Sequence, residues 1–266
     1  MSITRLGAEL VTVGYGGAPV VRELTLDIPD GQVTTIVGPN GCGKSTLLRT
    51  LARLLKPTSG RVRLDGASID DVPTREVSQR LALLPQSPVA PDGLLVRDLV
   101  SRGRHPHQRW FQQWSSADED VVEQALRMTD TWELRDRPID QLSGGQRQRA
   151  WVAMTLAQDT ELVLLDEPTT YLDLAHQVEV LDLVTRLNRE RGRTVAMVLH
   201  DLNLAARCSD LVVVMKDGVV VTQGSPREVF TADCLHEVFG LVADVLEDPR
   251  TGLPVVVPVA GALPVA

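Results

Sequence analysis

Apolar positions recur along this chain with two different periods. Over 3–13 and 20–28 the pattern predicts two strands, divided by a turn at 14–19. A β-rich run at 32–37 ends at Gly38. After it, leucines at 47, 48, 51, 54 and 55 fall at helical spacing and predict a helix over 44–55. Residues 61–64 read as a strand entering the Asp65-Gly66 turn, and 81–85 as another short strand. Between 88 and 160 the character changes. Prolines cluster first, then helical patterning dominates around 95–103, 118–130 and 145–158, which predicts a helical lobe inserted into an α/β core. The fully apolar run 162–165 has the composition of a strand buried on both faces. Helix (176–191), strand (194–199), helix (201–208) and strand (211–215) then alternate, and Asp217-Gly218 turns the chain into one more strand. Such alternation predicts a mostly parallel sheet with helices on both faces. No internal repeat and no low-complexity segment interrupts it.

Composition narrows the class. Hydrophobic residues make up 43% of the 266, enough for a substantial core. The net charge of −8 argues against a nucleic-acid partner, because phosphate backbones select basic faces. Three cysteines, Cys42, Cys208 and Cys234, form no framework spacing, and the expected compartment is reducing and intracellular. No apolar stretch reaches the ~18 residues of a membrane span, and the first ten residues lack the apolar block of a signal peptide. The tail after Leu253 is apolar but broken by Pro254, Pro258 and Pro264. A chain soluble by itself is the expectation. Lysine is scarce: only Lys44, Lys56 and Lys216 contribute to 27 basic residues, which makes the position of Lys44 informative.

That lysine closes the run Gly38-Pro39-Asn40-Gly41-Cys42-Gly43-Lys44-Ser45-Thr46, which satisfies G-x-x-x-x-G-K-[ST] between an apolar strand and a helix. The glycines let backbone N–H groups turn inward around a triphosphate, and the helix beginning at Lys44 aims its positive end at the same anions. Lys44 suits the β- and γ-phosphates of ATP, and Ser45 offers a hydroxyl to Mg²⁺. Farther along, the apolar strand 162–165 ends in Asp166 and Glu167. Ligands of open α/β sheets bind at such carboxyl ends. Asp166 suits Mg²⁺ held through its water shell, and Glu167 suits a general base for the attacking water. A solvated acidic strand end is the plain alternative. Cys42, at a helix start where thiolates are stabilised, is expected to be the reactive thiol, against the alternative of an inert loop residue.

A third motif points to a family. Leu142-Ser143-Gly144-Gly145-Gln146, followed by Arg147-Gln148-Arg149 and a helix, resembles the signature sequence of ABC ATPases, although taken alone it also reads as an ordinary helix cap. The resemblance runs over about 3–240, with the helical subdomain near 88–160 and a C-terminal extension at 241–266. It implies a P-loop NTPase core of ABC type with an antiparallel β subdomain. It also implies a homodimer, or a pair with a homologous ATPase, sandwiching two ATP molecules. In that arrangement Ser143, Gly144, Gly145 and Gln146 serve the γ-phosphate held by the other copy. Residue by residue, the resemblance makes Tyr15 the aromatic that stacks on adenine. It makes Gln86 the glutamine that reaches metal and water. It makes His200 the γ-phosphate contact and Asp173 the aspartate of the loop crossing the dimer interface.

The run Thr169-Thr170-Tyr171-Leu172-Asp173 departs from many transporters and is similar to importers of iron–siderophore complexes, as is Arg102-Gly103-Arg104-His105-Pro106-His107. Haem and cobalamin importers are close alternatives. His105 and His107 are not read as metal ligands, since no acidic or thiol partner has fitting spacing. The resemblance implies a peripheral protein on the cytoplasmic membrane face. It would work with transmembrane permease subunits and a substrate-binding protein on the far side. The permease is expected near Gln86 and the helical lobe, where Trp110, Phe111 and Trp114 crowd. Packing inside the lobe is the plain alternative for those aromatics. A non-transport ABC ATPase acting on nucleic acid or ribosomes fits less well. Such chains usually carry two ATPase units or a long coiled coil, and this one is acidic with neither.

Overall fold

The computed structural model describes residues 4–108, 114–170 and 172–259. The chain forms two compact units, Met1–Asp70 with Ala196–Ala266 and Asp71–Val195. The first opens with β1 (Thr4–Val13) and β2 (Val21–Pro29), an antiparallel pair. Next come β3 (Val33–Val37), every residue of which is buried, and α1 (Lys44–Leu51). Strand β4 (Ser59–Leu64) pairs with β1, and the Asp65-Gly66 turn, with φ of 51° and 84°, delivers β5 (Ala67–Ser68).

Helix α1 stops at Leu51, short of the expected Leu55. Arg53 takes the left-handed conformation at φ 58°. Its N–H donates to the Thr50 carbonyl (2.9 Å), and the Leu54 N–H donates to the Arg49 carbonyl (2.9 Å). This pair of bonds is a Schellman closure built on arginine in place of glycine. Pro57 adds its own bar, since it disfavours helical backbone at Lys56.

The second unit begins with α2 (Thr74–Arg80), which the sequence pattern did not reveal, and β6 (Leu81–Leu84). Three helices follow: α3 (Val96–Ser101), α4 (Ser116–Met128) and α5 (Gly144–Ala157). Residues 102–108 knit them together. A Cβ on Gly103 would lie 2.3 Å from the Met154 carbonyl of α5. Arg104 donates to Asp118 Oδ1 (2.8 Å) and to the Ala157 carbonyl (2.9 Å). Burial works to raise the Asp118 pKa, but hydrogen bonds from Ser115 and Arg104 prevail and hold it below the usual value. His107 Nε2 sits 2.7 Å from the Gln158 carbonyl, and Arg75 donates to the carbonyls of Pro106 (3.0 Å) and Gln108 (2.7 Å). The arginine–histidine segment is therefore a structural knot. Of the aromatics expected at a partner surface, Trp110 and Phe111 lie outside the described residues, as does Tyr171. Trp114 is 44% exposed.

Strand β7 (Leu162–Asp166) runs parallel to β6, pairing Leu84 with Leu165, and is buried throughout. Helix α6 (Leu174–Arg191) leads to β8 (Thr194–Val198), within which the chain returns to the first unit.

There, the Leu199 N–H donates to the Ile36 carbonyl of β3 (3.3 Å), and α7 (Leu202–Cys208) follows at once. Strand β9 (Leu211–Lys216) runs parallel to β3, and the Asp217-Gly218 turn leads to antiparallel β10 (Val219–Gly224). The remaining segment holds α8 (Pro226–Val229), α9 (Ala232–Phe239) and an antiparallel hairpin of β11 (Ala243–Glu247) and β12 (Pro254–Pro258). Pro254 and Pro258 thus bound a strand, a place where the missing N–H is tolerated.

Candidate active site

In the first unit the phosphate-binding sequence sits between the buried strand β3 and α1. Residue 38 has to be glycine, because a Cβ there would fall 2.1 Å from the Met215 carbonyl of β9. Gly41 and Gly43 have φ of 76° and 105°, values that turn a loop without steric cost only in glycine. The Gly218 N–H donates to the Cys42 carbonyl (3.1 Å), so the β9–β10 turn pins the loop from behind. Asn40 and Gly41 face solvent, Pro39 and Ser45 are half-buried, and Thr46 is buried.

Lys44 is only 5% exposed, and its ammonium donates to the carbonyls of Gly38 (2.8 Å) and Pro39 (2.9 Å). A buried cation needs such acceptors. They hold the charge inside the loop, at the start of α1. The Tyr15 hydroxyl is 3.4 Å from Thr46 Oγ1, while the tyrosine as a whole is 61% exposed. Tyr15 is therefore no strand-packing residue. His200 is exposed between β8 and α7, whose N-terminus Asp201 caps by accepting from the Leu204 N–H (2.9 Å).

Cys42 departs from expectation. It is 5% exposed, and burial pushes its pKa up despite the nearby Lys44 charge. Desolvation is the largest influence on Cys42 and works against its thiolate. Burial likewise pushes Cys208 up to about 12. Cys234 is raised as well, by burial and then by Glu237, but it is half-exposed. At neutral pH an alkylating reagent should therefore label Cys234 well before Cys42. Mass mapping of a time course checks this; first labelling at Cys42 would refute it.

In the second unit, Asp166 closes β7 with no exposed surface, and Glu167 follows at 8% exposure with φ 54°. The Thr170 hydroxyl donates to Glu167 Oε2 (3.0 Å). Gln86, half-buried, stands two residues beyond the end of β6. Because β6 and β7 are parallel neighbours, Gln86, Asp166 and Glu167 all emerge at one sheet edge, the carboxyl end. The Gln148 amide of α5 donates to the Pro168 carbonyl (2.8 Å), and the Gln177 amide of α6 donates to the Leu172 carbonyl (3.0 Å), fixing the loop after Glu167. Neither contact is legible in the sequence, where Gln148 figures only as part of the run after the signature and Gln177 as ordinary helix surface.

Ser143 caps α5, accepting from the Gln146 N–H (3.3 Å), while Gln146 Oε1 accepts in return from the Ser143 N–H (3.2 Å). This reciprocal box leaves Ser143 and Gly144 exposed at a fourteen-residue helix start. A Cβ on Gly145 would lie 3.5 Å from Leu172 and 3.7 Å from the His176 ring, so this helix start abuts that of α6. There Asp173 caps α6. It accepts from the His176 N–H (3.0 Å) and sits 2.6 Å from the His176 ring nitrogen. The backbone bond, then the ring bond, hold its carboxyl below the usual range.

The Ser45 hydroxyl, the Asp166 carboxylate and the Gln86 amide are hard oxygen donors of the kind Mg²⁺ accepts. Among the described residues no cluster of His, Cys, Asp and Glu holds a metal by itself, and no helix is long and apolar enough to cross a membrane.

A glycine loop with a buried lysine, a strand-end carboxylate pair and a second, capped glycine helix start define a P-loop ATPase of the cassette type. The ABC transporter family model matches residues 21–170, and the chain belongs to that family. It is 49% identical to the ferric enterobactin transport ATP-binding protein of Escherichia coli, over 99% of this chain and 97% of that one. It is 50% identical to the iron(3+)-hydroxamate import ATP-binding protein of Bacillus subtilis, over 94% and 93%. Among solved structures it is similar to a dimeric, post-hydrolysis ATP-binding cassette bound to ADP and phosphate. That likeness has a TM-score of 0.74 and 28% identity, and covers 83% of this chain and 98% of the other.

Proposed function

We propose that this chain binds MgATP and hydrolyses it to energise import of an iron(III)–siderophore complex through a separate membrane permease. The supporting observation is the near-complete coverage at about half identity by relatives named for ferric enterobactin and iron(3+)-hydroxamate. In this reading the Gly38–Thr46 backbone binds the phosphates, with Tyr15 against the adenine. Lys44 exchanges its two carbonyl acceptors for β- and γ-phosphate oxygens. Ser45, Asp166 and Gln86 are the residues that would hold Mg²⁺, which would supply positive charge to the nucleotide. Glu167 takes the proton of the attacking water, and His200 contacts the γ-phosphate. Thr170 fixes the carboxylate from one side, so its proton-accepting oxygen is oriented before the nucleotide arrives.

A second copy supplies Ser143, Gly144 and Gly145 to each nucleotide, with Asp173 at the seam between copies. The dimeric cassette structure supports that pairing. The capped α5 start, with Ser143 and Gly144 exposed, has the dipole such an anion contact needs. The permease docks at the cytoplasmic face, over the segments that expose Val89 (88%) and Trp114 (44%). A substrate-binding protein delivers the chelate on the far side.

Uptake of radioactive iron from ferric siderophores, in cells lacking this chain, tests the reading. Uptake is expected to fall to background and to return with the wild-type chain but not with Glu167→Gln. Unchanged uptake, or co-purification with ribosomes in place of a multi-span membrane protein, would refute it.

A further inference from the structure

The C-terminal hairpin has no part in the chemistry above, yet it is tied to the helix that starts directly after His200. The Asn203 amide nitrogen donates to the Val256 carbonyl (3.2 Å), and the Val256 N–H donates to Asn203 Oδ1 (2.7 Å). Both polar groups of one β12 residue are taken by one side chain, as a neighbouring strand would take them. Val256 is 5% exposed, so loss of the partner would strand buried groups.

Helix α7 needs outside support. Its seven residues are far fewer than an isolated helix requires in water. Its C-terminal end is pinned to β3, where the Ser209 hydroxyl meets Thr35 Oγ1 (2.5 Å). At the other end, beside His200, the tie runs through Asn203 to the hairpin. On its other side, His200 is fixed by the Leu199–Ile36 bond to β3. The histidine thus sits on a short bridge between a sheet strand and a helix start, and the hairpin braces the helix start.

We propose that Asn203 is a positioning residue for His200, and that β11 and β12 serve as the brace through which it acts. The inference rests on the reading of His200 as the γ-phosphate contact. A loosened brace lets the imidazole drift from the phosphate without altering the glycine loop or Tyr15. Asn203→Ala should therefore lower kcat for ATP by several-fold and leave KM within about twofold. Val256→Pro removes the N–H from the opposite side without touching α7, and should give the same split. Added to His200→Ala, Asn203→Ala should cause no further loss, because the two residues act in series.

Steady-state hydrolysis by the four variants of the full chain, with ATP titrations to confirm binding, decides it. Parental kcat in both Asn203→Ala and Val256→Pro would overturn the inference. So would additive losses in the double variant, or a parallel worsening of KM and kcat. If His200→Ala itself hydrolyses normally, the reading of the histidine falls and this inference with it. If His200→Ala is inactive while the brace variants are normal, only the brace is wrong.

Discussion

Replacing Glu167 with glutamine should reduce ATP turnover by roughly 10²–10⁴-fold, the usual contribution of a general base, while nucleotide binding survives. The substitution is nearly isosteric, and the amide can still accept from Thr170, whose hydroxyl lies 3.0 Å from Glu167 Oε2. What is lost is the proton acceptor. With hydrolysis blocked, the ATP-bound pair of chains has no chemical exit, so gel filtration with MgATP should show a dimer that wild type does not accumulate. A monomer that turns over normally would refute the assignment of both the base and the shared nucleotide.

Lys44→Ala should act one step earlier, on binding. Hydrogen bonds to a charged group contribute about 1.5–3 kcal/mol each, so losing the ammonium should weaken ATP by at least roughly 10–100-fold. The deletion also withdraws the donor from the Gly38 and Pro39 carbonyls, which loosens the loop before any ligand arrives. Calorimetric titration with MgATP measures the effect. Equal affinity in variant and parent would mean that the phosphates do not meet this lysine. The two variants should separate cleanly, Lys44→Ala failing to bind and Glu167→Gln binding without turnover.

Much of this was legible from residue order alone, for identifiable reasons. The glycine loop is written in the one residue type that tolerates its backbone, and β7 is apolar from Leu162 to Leu165 because it is buried throughout. Three kinds of feature escaped. Helix α1 ended early because Arg53 adopts a conformation usually left to glycine, and a propensity argument does not expect that of arginine. The burial of Cys42 is not legible because it is a tertiary quantity, and desolvation there exceeds the help from Lys44. The contacts of Gln148, Gln177 and Asn203 are invisible in the sequence because a polar side chain on a helix looks the same whether it meets water or a distant carbonyl.

The φ of 54° at Glu167 carries a cost of its own. A residue with a Cβ gives up on the order of 1 kcal/mol or more in that region, and glycine would give up almost nothing. On the proposed reading of Glu167 as the general base, thermal robustness and turnover make opposite demands on this position. A lineage released from the need to turn over ATP, yet still required to fold, should drift there toward glycine. On that reading, the acid at this bend trades local durability for chemistry.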